Sequence, residues 1–93
     1  MEKKHSKGVK IKDILLYALS TCVWCAKTKK LLKEMGVEFD YIDVDLLEGE
    51  DRKAAEAELK KWNPKLSFPT LVIDNQKCIV GFKEDEIREA LIK

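Results

Sequence analysis

The apolar and polar positions of this chain fall into a short series of blocks. Residues 11–19 are rich in apolar, strand-compatible side chains and read as a buried first strand. Ser20 and Thr21 break that run with residue types that favour helix starts. Beyond them Cys25, Thr28, Leu32 and Met35 share one helical face, with Leu31 beside it, while Lys27, Lys29, Lys30 and Lys33 lie mostly outside that stripe. Gly36 stands where a left-handed helix cap is needed. Val37, Phe39 and Tyr41 then alternate with polar residues, and Ile42 and Val44 follow one step out of phase, which predicts a second strand over 38–44. The charged stretch 45–53 leads into a second helix whose Ala55, Leu59 and Trp62 are spaced to face a sheet, and Asn63–Pro64 stops it. Residues 70–73 and 78–80 are two short strands around the turn Asp74–Asn75–Gln76–Lys77, an antiparallel hairpin. After Gly81, residues 85–93 form a last helix with Ile87, Ala90 and Leu91 on one face. The predicted order is β-α-β-α-β-β-α. A right-handed parallel β-α-β unit is extended by an antiparallel hairpin, giving an α/β fold with a four-stranded mixed sheet and helices on both faces.

Composition narrows this further. A chain of 93 residues, 45% apolar and 38% charged, fits one globular domain. A net charge of +1 gives no whole-protein field to draw in nucleic acid. The longest apolar runs, 14–19 and 70–73, fall far short of the roughly 20 residues of a membrane helix. Residues 1–8 read as a frayed, flexible basic tail, with Lys3, Lys4, Lys7 and Lys10 a solubilising end rather than a binding arm, and 9–93 as the folded domain. No export signal is recognisable, so reducing cytoplasm is the expected location, where cysteines are more often catalytic or metal-binding than structural disulfides.

The chemistry concentrates in Cys22–Val23–Trp24–Cys25, between a buried strand and a helix start. Unpaired N–H groups and the helix dipole stabilise negative charge there. Thiols in this setting fall from about 8.5 to about 7 or lower. Two intervening residues in a helical turn bring the sulfurs within reach of a low-strain disulfide. Cys22 is therefore the expected nucleophile and Cys25, deeper, the expected resolving thiol. A structural zinc normally takes four ligands, and beyond the pair only Cys78 and His5 remain, so no metal site is expected. An inert buried pair is the other alternative, and the position at a helix start argues against it. Trp24 is either a wall beside the pair or ordinary packing. Lys27, Lys29 and Lys30 read as a solvated helix face rather than an anion site, and Cys78 as a small core hydrophobe.

These residues resemble the glutaredoxin-like branch of the thioredoxin superfamily, over nearly the whole chain after residue 10. Three features carry the resemblance: Cys22–Val23–Trp24–Cys25; Ser67–Phe68–Pro69–Thr70, at the place of the family's cis-proline loop; and Gly81–Phe82–Lys83–Glu84–Asp85, at the turn into the last helix. Each alone is weak, and their order and spacing together are specific. The resemblance implies a thioredoxin-like fold and thiol–disulfide exchange on protein disulfides. It also implies a cis bond before Pro69 that turns the Phe68 backbone toward Cys22, where an extended substrate segment can pair with it. Val23, Trp24, Phe68, Pro69, Thr70, Gly81 and Phe82 become the implied substrate-binding residues. No cofactor is implied beyond the redox-active disulfide, and a monomer is expected.

The departures bear on the electron donor. Glutathione-using glutaredoxins usually carry a basic residue three positions before the first cysteine, where this chain has Leu19, and often a Gly-Gly pair where it has Val80–Gly81. The Gly81–Phe82–Lys83 segment is more similar to the NrdH-type redoxins, which take electrons from thioredoxin reductase, although Glu84 stands where they commonly have proline. Val23 replaces a proline frequent in glutaredoxins. The expected donor is a thioredoxin reductase-type flavoenzyme, with glutathione the alternative; a binding module for an iron–sulfur cluster is a further one.

Overall fold

The computed structural model describes residues 3–92. Its elements are β1 (Lys4–Ser6), β2 (Ile14–Ala18), α1 (Val23–Glu34), β3 (Phe39–Asp43), a 3-10 turn (Val44–Leu46), α2 (Gly49–Trp62), β4 (Thr70–Ile73), β5 (Lys77–Val80) and α3 (Glu84–Ile92). The predicted elements are all present, with strand ends trimmed by a few residues; the last position expected in α3, Lys93, lies outside the described residues.

The sheet has five strands, in the order β1-β3-β2-β4-β5. β2 and β3 are parallel and α1 crosses between them, as the β-α-β reading requires. β4 pairs antiparallel with both β2 and β5. The phase change in β3 has a simple meaning. Val37, Phe39 and Tyr41 pack on the α1/α3 side of the sheet, while Ile42 and Val44 pack with Ala55 and Leu59 of α2 on the other. β2 divides the same way, Leu16 and Ala18 to one face and Tyr17 to the other, so one central strand serves two cores.

The fifth strand is a correction. Residues 4–6, expected within a frayed tail, pair antiparallel with β3, Lys4 opposite Tyr41 and Ser6 opposite Phe39; Met1 and Glu2 lie outside the described residues. No apolar alternation announces this strand, because it is an edge with polar side chains, and the ladder together with His5 holds it. His5 Nδ1 lies 2.7 Å from Asp40 Oδ1 and its Nε2 3.1 Å from Glu38 Oε1. Gly8 adds a second anchor: a Cβ there would sit 2.6 Å from the Val37 carbonyl carbon, so only glycine lets the strands approach this closely. Next to it, Val9 exchanges hydrogen bonds with Gly36 O and Glu38 N, at 2.8 and 2.9 Å.

The His5 contact makes the edge strand pH-sensitive. Its hydrogen bond to Asp40 above all, with Glu38 adding, raises the imidazole above its ordinary 6.5. Donation from both ring nitrogens requires the protonated ring. The contribution to docking is therefore complete below the ordinary histidine value and is lost as pH rises through the raised one. Amide protection of residues 4–6, measured by hydrogen exchange and corrected for intrinsic rates, should fall as pH rises from below the ordinary histidine value through the raised one. His5→Ala should remove that pH dependence. Protection that falls identically in wild type and His5→Ala contradicts the assignment.

Candidate active site

The site grows out of the end of β2. The chain leaves Ala18, passes through 19–21 and enters α1 with Cys22 as its N-cap, in extended geometry at φ −84° and ψ 122°. The Cys22 amide donates to Leu19 O at 3.2 Å, and its carbonyl accepts from Ala26 N at 3.0 Å. Its sulfur takes the role usually filled by a serine or aspartate oxygen, accepting the Cys25 N–H at 3.2 Å. The helix N-terminus and this N–H direct positive potential at Cys22 Sγ. Cys22 is half-buried and Cys25 is wholly buried. The loop is tied down from outside the motif: Ser20 donates both its N–H and its hydroxyl to the Asp45 carboxylate, which holds that carboxyl below its ordinary value. Leu19 is half-buried and belongs to neither core cluster.

Burial, with the neighbouring Cys22 adding to it, pushes the Cys25 thiol up to about 12, and a backbone hydrogen bond with Leu19 and the Lys29 charge oppose the rise. Lys29 stands one helical turn beyond Cys25, on the same side of α1. It is not part of a solvated face, as its sequence context suggested. Its ammonium pairs with Asp43 Oδ1 at 2.8 Å, with side chains only 21% and 7% exposed, and lies 4.5 Å from the Tyr41 ring centroid. Asp43 is the last residue of β3, in register with Ala18 at the end of β2, and the Lys29 charge of this partly buried pair is felt at Cys25.

The other two motifs converge on the same end of the sheet. Thr70 begins β4 opposite Tyr17 and opposite Val80 of β5. Pro69 and Phe68 therefore emerge beside the Cys22 loop. The Phe68–Pro69 bond is cis, and Gly81 N donates to Pro69 O at 2.8 Å, fastening the third motif to the second. Phe68 packs on both core clusters, and its backbone N–H and C=O find no hydrogen-bond partner among the described residues. Phe82 stacks on Trp24, ring centroids 5.9 Å apart at 27°. Trp24 is 54% exposed, a wall rather than core packing, and Val23 beside it is 65% exposed.

Asn63 shapes this region more than its place before a proline suggested. It is buried, and its side-chain amide donates to Ser67 Oγ at 2.8 Å and to Ser67 O and Thr70 Oγ1, both at 3.2 Å. Its carbonyl oxygen accepts from Lys65 N at 3.2 Å. Only its position between a helix end and a proline-containing loop signals it in the sequence. Cys78, half-buried on β5, has its sulfur 3.7 Å from Trp62 O, and burial raises its thiol. Among the described residues no group of three or more His, Cys, Asp and Glu side chains is arranged to hold a metal ion.

Comparison with known proteins decides the family. The Glutaredoxin family profile matches residues 14–79. A glutaredoxin-like 8.6 kDa protein of the rubredoxin operon of Clostridium pasteurianum is 35% identical over 80 residues, 86% of this chain and 99% of that protein. The chain belongs to the glutaredoxin family. Crystal structures agree: a glutaredoxin from Methanosarcina mazei superposes with a TM-score of 0.89 at 53% identity, covering 98% of this chain and 88% of that one. Methanoredoxin from Methanosarcina acetivorans gives 0.87 at 54% identity, covering 90% and 88%. This glutaredoxin-family chain is thus a thiol–disulfide oxidoreductase on a thioredoxin fold. None of its described helices is long and apolar enough to cross a membrane.

Two measurements check the geometry. With Cys25 buried and its thiol held near 12, alkylation of the reduced protein near neutral pH should modify Cys22 first, as read by peptide mass mapping. Preferential labelling of Cys25 or Cys78 contradicts it. Asn63→Ala strips a buried donor set from Ser67 and Thr70 and should cost about 1–3 kcal/mol in denaturant unfolding; a change within about 0.5 kcal/mol, the usual range for surface substitutions, would show the network to be dispensable.

Proposed function

We propose that the chain is a dithiol redoxin that reduces protein disulfides through Cys22 and Cys25 and is itself reduced by a thioredoxin reductase-type flavoenzyme. The observation that carries the reading is the Cys22 sulfur capping α1 with the buried Cys25 in the same turn. In the first step the Cys22 thiolate attacks one sulfur of a substrate disulfide, forming a mixed disulfide and releasing the other sulfur as a thiolate. Cys25 then gives up its proton, to the released thiolate or to water, and attacks Cys22 Sγ. The second substrate sulfur leaves, and the products are a dithiol substrate and a Cys22–Cys25 disulfide. The free backbone groups of Phe68 suit an extended substrate strand laid beside the pair, bounded by Val23, Trp24, Pro69, Thr70, Gly81 and Phe82.

The donor assignment rests on charge. Glutathione is a small tripeptide with two carboxylates, and tight binding needs cations or helix-end N–H groups aimed at both. Leu19 supplies no charge three residues before Cys22, and the Val80 side chain stands where a second glycine would open the backbone. Lys83 is 3.9 Å from Glu86, which leaves Lys27, 4.5 Å from the Trp24 ring centroid, to meet one of the two carboxylates and no free cation at the turn into α3 for the other. Glu84, Asp85 and Glu86 put negative charge in the first turn of α3.

Cys25→Ser should accumulate a mixed disulfide with a protein substrate and lose turnover with a protein disulfide. Wild-type rates in Cys25→Ser contradict the dithiol mechanism. Two coupled assays on the wild type separate the donors, one supplying glutathione with its reductase and the other thioredoxin reductase. Faster reduction by the flavoenzyme is expected; turnover with glutathione alone overturns that half of the reading.

A further inference from the structure

Charge is nearly balanced over the whole chain and strongly segregated around the cysteines. α1 has no acidic residue in its first turn, and its solvent side carries Lys27, Lys30 and Lys33. Among the described residues only Glu34 answers them, 3.9 Å from Lys30 at the far end of the helix. Lys27 and Lys33 make no ion pair among the described residues, and Lys27 rests on the face of Trp24. On the other flank, the first turn of α3 presents Glu84, Asp85 and Glu86, of which Glu84 pairs with Arg88 at 2.9 Å and Glu86 lies 3.9 Å from Lys83, so the acidic border is partly neutralised. The Trp24–Phe82 stack bridges the two flanks, because Phe82 immediately precedes α3 and Trp24 lies in the first turn of α1. Cys22, the N-cap of α1, therefore sits at the boundary between a basic and an acidic border, next to an exposed aromatic floor.

We infer that this face takes a peptide or protein segment whose disulfide is flanked by acidic residues, seated with its carboxylates along Lys27, Lys30 and Lys33. The inference rests on the reading of Cys22 as nucleophile and adds the class of partner. Complementary charge mainly raises the encounter rate and fixes orientation. Each exposed contact is individually small, whereas the summed local field of such a track changes association rates by about tenfold or more at low salt. Lys27 has the largest share, since of the three it is nearest Cys22 along α1 and its ammonium lies 4.5 Å from the Trp24 ring centroid. A basic partner would meet repulsion from α1 before its disulfide reached Cys22.

The test uses the reduced full chain in single turnover. Two disulfide-closed peptides of equal length are compared, identical except that one has glutamates and the other lysines beside the cysteines. Each transfers its disulfide to the protein and leaves as a dithiol, so no further reductant is needed. At about 0.01 M ionic strength the glutamate peptide should react about tenfold faster, and the gap should close toward about 1 M salt as the screening length drops from about 30 to about 3 Å. K27E/K30E/K33E should invert the order, and Lys27→Gln alone should narrow the gap, which covers the case in which the triple variant fails to fold. Equal rates at low salt, a preference for the lysine peptide, or a gap that survives about 1 M salt overturns the inference while leaving the dithiol mechanism standing. Failure to reduce either peptide overturns both.

Discussion

The junction between β2 and α1 carries one constraint on which the rest depends: a cysteine sulfur caps the helix. An N-cap side chain satisfies a backbone N–H that would otherwise be orphaned, and here the acceptor is Cys22 Sγ, with Cys25 as the donor. The atom that completes the helix therefore belongs to the half-buried cysteine of the pair. Its partner cysteine is within the same turn, with its N–H 3.2 Å from that sulfur. Everything around the junction keeps it in register. The parallel β2–β3 pairing places Asp43 next to Ala18, Asp45 holds Ser20, and the Lys29 charge of the Lys29–Asp43 pair is felt at Cys25. Burial of that pair is tolerated because each charge has a close partner.

Burial then separates two chemically identical thiols. Cys25 is removed from water and pushed toward about 12, with only the Lys29 charge and a backbone hydrogen bond to Leu19 pulling it back. Cys22 keeps contact with solvent at the positive end of α1. The asymmetry comes from position along one helical turn rather than from the residues between the cysteines. What distinguishes this chain lies on the rim, where Trp24, Phe82 and the α1 lysines set the surface a partner meets.

Much of this was legible in the sequence. Period and apolar phase gave the alternation of elements, and even the odd step between Tyr41 and Ile42 proved to be the switch between the two cores. The three motifs singled out in the sequence meet at one end of the sheet. Polar partners were not legible. Lys29 looked like one of several solvent lysines because nothing local marks Asp43, 14 residues away, as its partner. Ser20 and Asp45 are 25 residues apart, and His5 and Asp40 are 35 apart, so no pattern of nearby residues points from one to the other. β1 was hidden for the same reason, being an edge strand held by such contacts instead of an apolar face. Asn63 looked like a helix stop and is also the amide that organises the loop before Pro69.

The central claim is that Cys22 and Cys25 form one two-electron couple within a single chain. An equilibrium redox titration against a dithiothreitol buffer tests it most directly, using intrinsic fluorescence, since Trp24 lies inside the motif. The account predicts one transition with a two-electron slope, about 30 mV per tenfold change in ratio. It should be independent of protein concentration, abolished by Cys22→Ser and retained in Cys78→Ser. A transition that shifts with protein concentration, or that survives Cys22→Ser, would contradict it.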